Sequence, residues 1–238
     1  MPNRFCQEQG CGPDTASAPC RRCGILEGID LPALASAGLV THRKFAKRQI
    51  LFHEHEPCRG PFFLCSGSVK LYLKLADERR QIVRLVVGGE LFGLAHVLAE
   101  TPNAYTAETL EPCEMMMFEP ERFTALALQN PSLCGRLLRY LAAELGRARE
   151  VQKELSFKTG RQRVARILLR LGKDYGRESA RGVRIEIPVS RSDLADLAAM
   201  APETLIRILS EFKERKLLYT TGKSISIIDS PALRDMTE

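Results

Sequence analysis

Two groups of residues in this 238-residue chain have side-chain types and spacings that do chemistry. The first is a set of cysteines. Four of the eight crowd the N-terminal stretch as Cys6-x4-Cys11-x8-Cys20-x2-Cys23. Thiolates hold soft metals and oxidise reversibly. A chain of this size fills a core without cross-links, and a reducing compartment would not keep them. The N-terminal run therefore predicts metal or redox chemistry. Cys58, Cys65, Cys113 and Cys134 are scattered singly, and Cys58, Cys65 and Cys134 read as ordinary packed or strand residues. The second group lies at 203–216. Glu203 and Arg207 stand four apart and share a helical face. Glu accepts from cytosine N4, and Arg makes a bidentate contact to guanine. A surface ion pair is the competing role for the two. Thr204 is a candidate phosphate contact. Lys213, Arg215, Lys216 and Lys223 would lie along the DNA backbone, where contacts position without reading sequence.

The elements that must position these groups follow from the pattern. Ser190 or Ser192 caps a first helix running through Met200, and Pro202 suits the first turn of a second. Ala199 occupies the turn, where Gly is more usual. Leu194, Leu197, Leu205, Ile208 and Leu209 supply a buried side, and a hairpin turning at Thr221-Gly222-Lys223 follows. That is a winged helix-turn-helix, with its second helix in the major groove. An amphipathic helix over RQRVARILLRLGKDYG and a strand-pair signal at RGVRIEIPVS precede it.

Upstream, from about residue 43 to 118, short β-branched, Leu- and Phe-rich runs alternate with Gly and Pro at roughly ten-residue intervals, the sign of a β-barrel or roll. His53 and His55, two apart, are expected on one strand face, as solvated hairpin side chains rather than metal ligands. A helical period takes over at 121–157. Leu138, Leu141, Leu145, Ala148, Gln152 and Leu155 step by threes and fours. That heptad seam predicts a parallel two-chain coiled coil in preference to packing on the chain's own roll.

The expected fold class is therefore α+β. It comprises a Cys-rich leader (1–24), a β-roll sensor domain (25–125), a dimerisation helix (126–157) and a winged helix-turn-helix domain (158–238). Hydrophobic residues are 45% and charged residues 27%, which excludes disorder as the dominant state. No apolar run approaches a membrane span. The first thirty residues lack the apolar core of a signal peptide, so the cytoplasm is the expected compartment. A net charge of +6 permits a nucleic-acid partner. Walker loops, dinucleotide fingerprints and nucleophile–base motifs are missing, so enzyme activity is not expected.

A β-roll, a long helix and a winged helix-turn-helix, in that order, resemble the Crp/Fnr family of transcription regulators from about Ile25 onward. FFLCSGSVKLYL, GGELFG at 88–93 and PETLIRIL at 202–209 carry the resemblance. Leu94 and Asn103-Ala104-Tyr105 stand where nucleotide-binding members place a pocket Glu and an Arg-Ser pair, so a cyclic nucleotide effector is not expected. Pro202 replaces the additional Arg of cyclic-AMP regulators. The Fnr branch carries an oxygen-labile 4Fe-4S cluster, and the resemblance implies Cys20, Cys23 and Cys11 (or Cys6) with remote Cys113 as its ligands. Zinc held by the four N-terminal cysteines, or a thiol switch, stays open. So does heme on His42, His53, His55 or Cys65. The resemblance further implies a homodimer on a palindrome related to TTGAT-N4-ATCAA, sensing oxygen or nitric oxide, with RNA polymerase as partner. Ile206 replaces the Fnr-type Ser before the recognition Arg and is suited to a thymine methyl. Ala148 replaces the charged seam residue of oxygen-responsive members, which leaves repulsion between apo chains to Glu144 and Glu150.

Overall fold

A computed structural model of the chain describes residues 25–26, 29, 34–35, 37–75, 79–222 and 224–237. The chain divides into two compact units, residues 1–74 with 84–147, and residues 75–83 with 148–238.

The first unit is built on a β-roll of β1 (Val40–Phe45), β2 (Ile50–Phe52), β3 (Phe62–Ser66), β4 (Ser68–Lys74), β5 (Arg80–Val87), β6 (Leu91–Phe92), β7 (Thr106–Thr109) and β8 (Cys113–Phe118). The strands form two sheets, in the orders β1-β8-β3-β6 and β2-β7-β4-β5. Several strands are covered on both faces, so that consecutive residues are buried, and Phe62, Phe63, Leu64, Leu71, Leu91, Phe92 and Met115 are fully buried. The roll begins earlier than periodicity predicts. Val40 already pairs with Phe118, but only Val40 and Phe45 of VTHRKF turn inward, so the run reads as polar. The two-residue histidine spacing does not put His53 and His55 on a strand. β2 ends at Phe52, and His55 has φ 68 in the turn that follows. Both side chains are exposed, as a hairpin reading requires.

Helix α1 (Leu94–Leu98) links β6 to β7, and α2 (Pro120–Gln129) follows β8. The Glu119 carboxylate accepts from Arg122 N at 2.8 Å, and Pro120 sits in the first turn. Asn130 closes α2. Its Oδ1 accepts from Leu133 N at 3.0 Å and so starts α3 (Pro131–Phe157). Phe123, Ala127, Leu133 and Leu137 pack with Phe63, Leu91 and Phe118, which fastens α2 and the first turns of α3 to the roll.

The second unit contains α4 (Gly160–Tyr175), β9 (Gly176–Ser179), β10 (Gly182–Ile185), α5 (Arg191–Leu197), α6 (Pro202–Glu214), β11 (Leu218–Thr221), β12 (Ser224–Ile227) and α7 (Ser230–Asp235). Its sheet runs β11-β12-β10-β9. Val164, Ile167, Leu168 and Leu171 on α4 are buried, as the amphipathic pattern predicts, with Leu194, Leu205 and Phe212.

Candidate nucleic-acid interface and signal-receiving residues

The helix-turn-helix is held by local chemistry at each corner. Ser190 Oγ accepts from Asp193 N at 3.1 Å, and the Asp193 carboxylate accepts from Ser190 N at 2.9 Å. This reciprocal capping box settles the choice of cap in favour of Ser190. α5 ends at Leu197, three residues before the expected Met200, because the chain turns through Ala199 at φ 49. Arg163 Nε on α4 donates to Ala198 O at 2.9 Å and pins that turn. A left-handed alanine is strained, whereas glycine adopts this backbone freely. Ala199→Gly is therefore expected to stabilise the protein by about 1 kcal/mol, read as a shift in the urea midpoint.

α6 buries Leu205, Ile208, Leu209 and Phe212 and turns its other side outward. Glu203, Ile206, Arg207 and Lys213 are exposed, and Thr204 is half-buried. Glu203 and Arg207 stand one turn apart, yet no ion pair joins them among the described residues. Both are thus presented from the helix's N-terminal half with their polar groups turned to solvent. Arg215 and Lys216 are exposed just beyond the helix. β11 and β12 form the expected wing, with Gly222 at φ 56, and Lys223 lies outside the described residues.

Along α3 the apolar residues take two directions. Leu133 and Leu137 are buried against the roll. Leu138 is 63% exposed and Leu145 53%, with Leu155 exposed as well. Leu141 is half-buried, and Ala148 and Gln152 are exposed. Most of the expected seam therefore lies bare on a single chain. The charges expected to repel across it are held within the chain. Glu144 pairs with Arg84 and Arg147, and Glu150 with Arg166 at 3.5 Å.

Arg84 is the centre of a network that sequence reasoning missed. Its guanidinium meets Glu90 at 3.2 Å, Glu144 and the Tyr140 hydroxyl, and the Tyr140 hydroxyl donates to Leu91 O. The cluster joins the β5–β6 turn to α3. Burial pushes the Tyr140 hydroxyl up to about 12, with Arg84 pulling back. The residues it brings together from β5–β6 and from α3 lie 49 to 60 positions apart in sequence, so no local spacing announces it.

Cys113 is buried at the start of β8. Its thiol donates toward Glu111 O at 3.2 Å and Ser68 O at 3.4 Å. Burial pushes this thiol up to about 11. The Ser68 carbonyl pulls back, and the Glu111 carboxylate adds to the rise. Gly67, at φ 91, leaves the space beside it. A Cβ there would lie 2.6 Å from Sγ. Cys6, Cys11, Cys20 and Cys23 lie outside the described residues. Among the described residues, no three His, Cys, Asp or Glu side chains gather as a metal site. His42 approaches Glu114 at 3.9 Å, and Cys65 is half-buried on β3. At the positions facing a family effector, Leu94 is buried in the core and Tyr105 packs on Phe52 and His96.

A β-roll, a helix with an outward leucine row and a winged helix-turn-helix with a bare carboxylate and guanidinium define a DNA-binding transcription regulator. Residues 42–130 match the cyclic nucleotide-binding domain, and residues 162–236 match the Crp-like helix-turn-helix domain. The nitrogen fixation regulation protein FixK of Azorhizobium caulinodans is 30% identical over 85% of this chain and 82% of its own. A CRP-like cAMP-activated global transcriptional regulator of Mycobacterium tuberculosis is 25% identical over 89% of this chain and 95% of its own. Among solved structures, FixK2 from Bradyrhizobium japonicum superposes with a TM-score of 0.75 at 24% identity, covering 84% of this chain and 98% of that one. The chain belongs to the Crp/Fnr family of transcription regulators. No helix among the described residues is long and apolar enough to cross a membrane.

Proposed function

We propose that the protein is a homodimeric, cytoplasmic regulator that binds a palindrome related to TTGAT-N4-ATCAA and works with RNA polymerase. The observation that carries this reading is the outward, unpaired presentation of Glu203 and Arg207 on a recognition helix that opens at Pro202. Each α6 enters one major groove, and half-sites lie about one helical turn apart. Glu203 and Arg207 read bases, Ile206 meets a thymine methyl, and Thr204 and Lys213 hold phosphates, with Lys223 contributing from the wing. Leu138, Leu141, Leu145, Ala148, Gln152 and Leu155 pair across the dimer axis. Fluorescence anisotropy on the palindrome and on a scrambled duplex tests the reading. Equal affinity for the two would remove sequence-specific binding.

The signal, in this proposal, is oxygen or redox state (nitric oxide included), received through a 4Fe-4S cluster on Cys11, Cys20, Cys23 and Cys113. The donor chemistry fits, because four thiolates satisfy such a cluster. Cys113 supplies a thiol on the roll that is hydrogen-bonded only to backbone carbonyls and packed against the side-chain-free Gly67, so no side chain would have to be displaced from its Sγ at that contact. When bound, the cluster supplies oxidation-sensitive iron–thiolate bonds. Cys113 must lose its proton to ligate, and a thiol raised to about 11 makes assembly weaker as pH falls. Protein purified without air is expected to contain iron and sulfide, and Cys113→Ser to lose both together with the visible absorption. Full iron content in the variant would take Cys113 out of the ligand set. Iron-free wild-type protein would end the sensor reading and leave the DNA reading standing.

A further inference from the structure

The first turn of α4 lies beside the recognition helix, and it carries a cation that the family-derived reading leaves without a role. A Cβ on Gly160 would stand 3.4 Å from Met200 Cε and 3.7 Å from Ile208 Cδ1, so the two helices meet closely at this point. The next residue, Arg161, is 62% exposed, and its Nε forms an ion pair with Glu211 Oε2 on α6 at 2.8 Å. Between the helices lies an open concavity of about 480 Å³, whose walls include Arg161, Thr204, Arg207 and Glu211.

We infer that Arg161 is a DNA-backbone contact: Glu211 aims its guanidinium into the concavity beside Thr204 and Arg207, where it grips a phosphate flanking the bases that Arg207 reads. The inference rests on the DNA reading above. An exposed pair such as Arg161–Glu211 adds little to stability, so stability does not account for its place. Charge does. Without Arg161, the Glu211 carboxylate would face an approaching phosphate strand. With it, two guanidinium groups stand against one carboxylate. The guanidinium fork has five N–H donors, and a side chain that stays 62% exposed while paired to Glu211 keeps donors on offer to a phosphate. Two of the amides at the α4 start are already engaged. Thr159 Oγ1 caps that turn by accepting from Gln162 N, and the Gln162 side chain accepts from Thr159 N at 2.9 Å.

A phosphate contact and a base contact differ in measurable ways. Anisotropy titrations of the full-length protein, over a range of salt concentrations, would use the palindromic duplex and a scrambled one. Arg161→Ala is expected to weaken binding to both duplexes roughly tenfold near physiological salt. It should also reduce the slope of log K against log salt by about 1 per protomer. Arg161→Lys keeps the charge and should keep most of the slope. Arg207→Ala, run in parallel, should lose affinity chiefly on the palindrome. An unchanged slope in Arg161→Ala, or a loss confined to the palindrome, overturns the inference while the DNA reading survives. Indifference of both variants on both duplexes would defeat the inference and the DNA reading together.

Discussion

Arg207→Ala is expected to cost about 1–3 kcal/mol of binding to the palindrome, a drop of roughly 5- to 150-fold, with little change on a scrambled duplex. The size follows from what is removed. A guanidinium that meets guanine O6 and N7 together makes two hydrogen bonds in a fixed plane, and no other base offers that pair. The fold makes this an unusually clean substitution. Arg207 is exposed on α6, while its neighbours Ile208 and Leu209 carry the burial that holds the helix in place. Removing the guanidinium therefore leaves the scaffold intact, and melting temperature should barely move. The measurement is a competition between duplexes that differ only at the inner G·C pair. Wild type should discriminate and the variant should not. Discrimination retained by the variant would take Arg207 out of base reading.

Leu145→Glu is expected to have the second large effect, on assembly. Leu145 and Leu138 stand more than half exposed in the middle of a helix whose opposite side is fastened to the roll. Covering such a leucine returns roughly 1.5–3 kcal/mol. A parallel pairing brings the two copies of residue 145 against each other. Glutamate there would place two carboxylates in one apolar layer, each without a partner. An unpaired charge in such a layer costs several kcal/mol. At about 1.4 kcal/mol per factor of ten, the dimer constant should weaken by two orders of magnitude or more. Sedimentation velocity reads this directly as a shift from dimer to monomer at a concentration where wild type is paired. Palindrome binding should fall with it, because one half-site alone holds one recognition helix. A variant that sediments as wild type would show that the exposed row is not the seam.

The intramolecular pairing of Glu144 and Glu150 sharpens this second expectation. With Arg84 and Arg147 on one and Arg166 on the other, neither acts as a bare charge across the axis. In the proposed dimer, little electrostatic repulsion then opposes association of the two chains. The Arg84 network also holds α3 to the β5–β6 turn, so a change in the roll has a physical route to the helix that carries the proposed seam.

Much of this molecule was legible in its residues because the relevant interactions are local. The helix-turn-helix follows from a capping serine, a proline at a first turn and leucines at helical spacing, all within 27 residues, Ser190–Lys216. The β-roll strands follow from short β-branched, Leu- and Phe-rich runs between Gly and Pro breaks, and the outward leucines of α3 from their heptad steps. Where a strand buries little, as β1 does, or a turn interrupts a regular spacing, as after Phe52, the local signal fails.

What the sequence determined alone is the order of elements and the chemistry on offer: thiols in the leader, a carboxylate and a guanidinium one turn apart on a recognition helix. Only the tertiary structure decided who meets whom. Arg84 with Glu144 and Tyr140, Cys113 over Gly67, and Arg161 with Glu211 are contacts between residues far apart along the chain. The reason is physical. Helix and strand periods are dictated by backbone geometry within a few residues, whereas charge pairing and burial depend on which surfaces the packed core brings together.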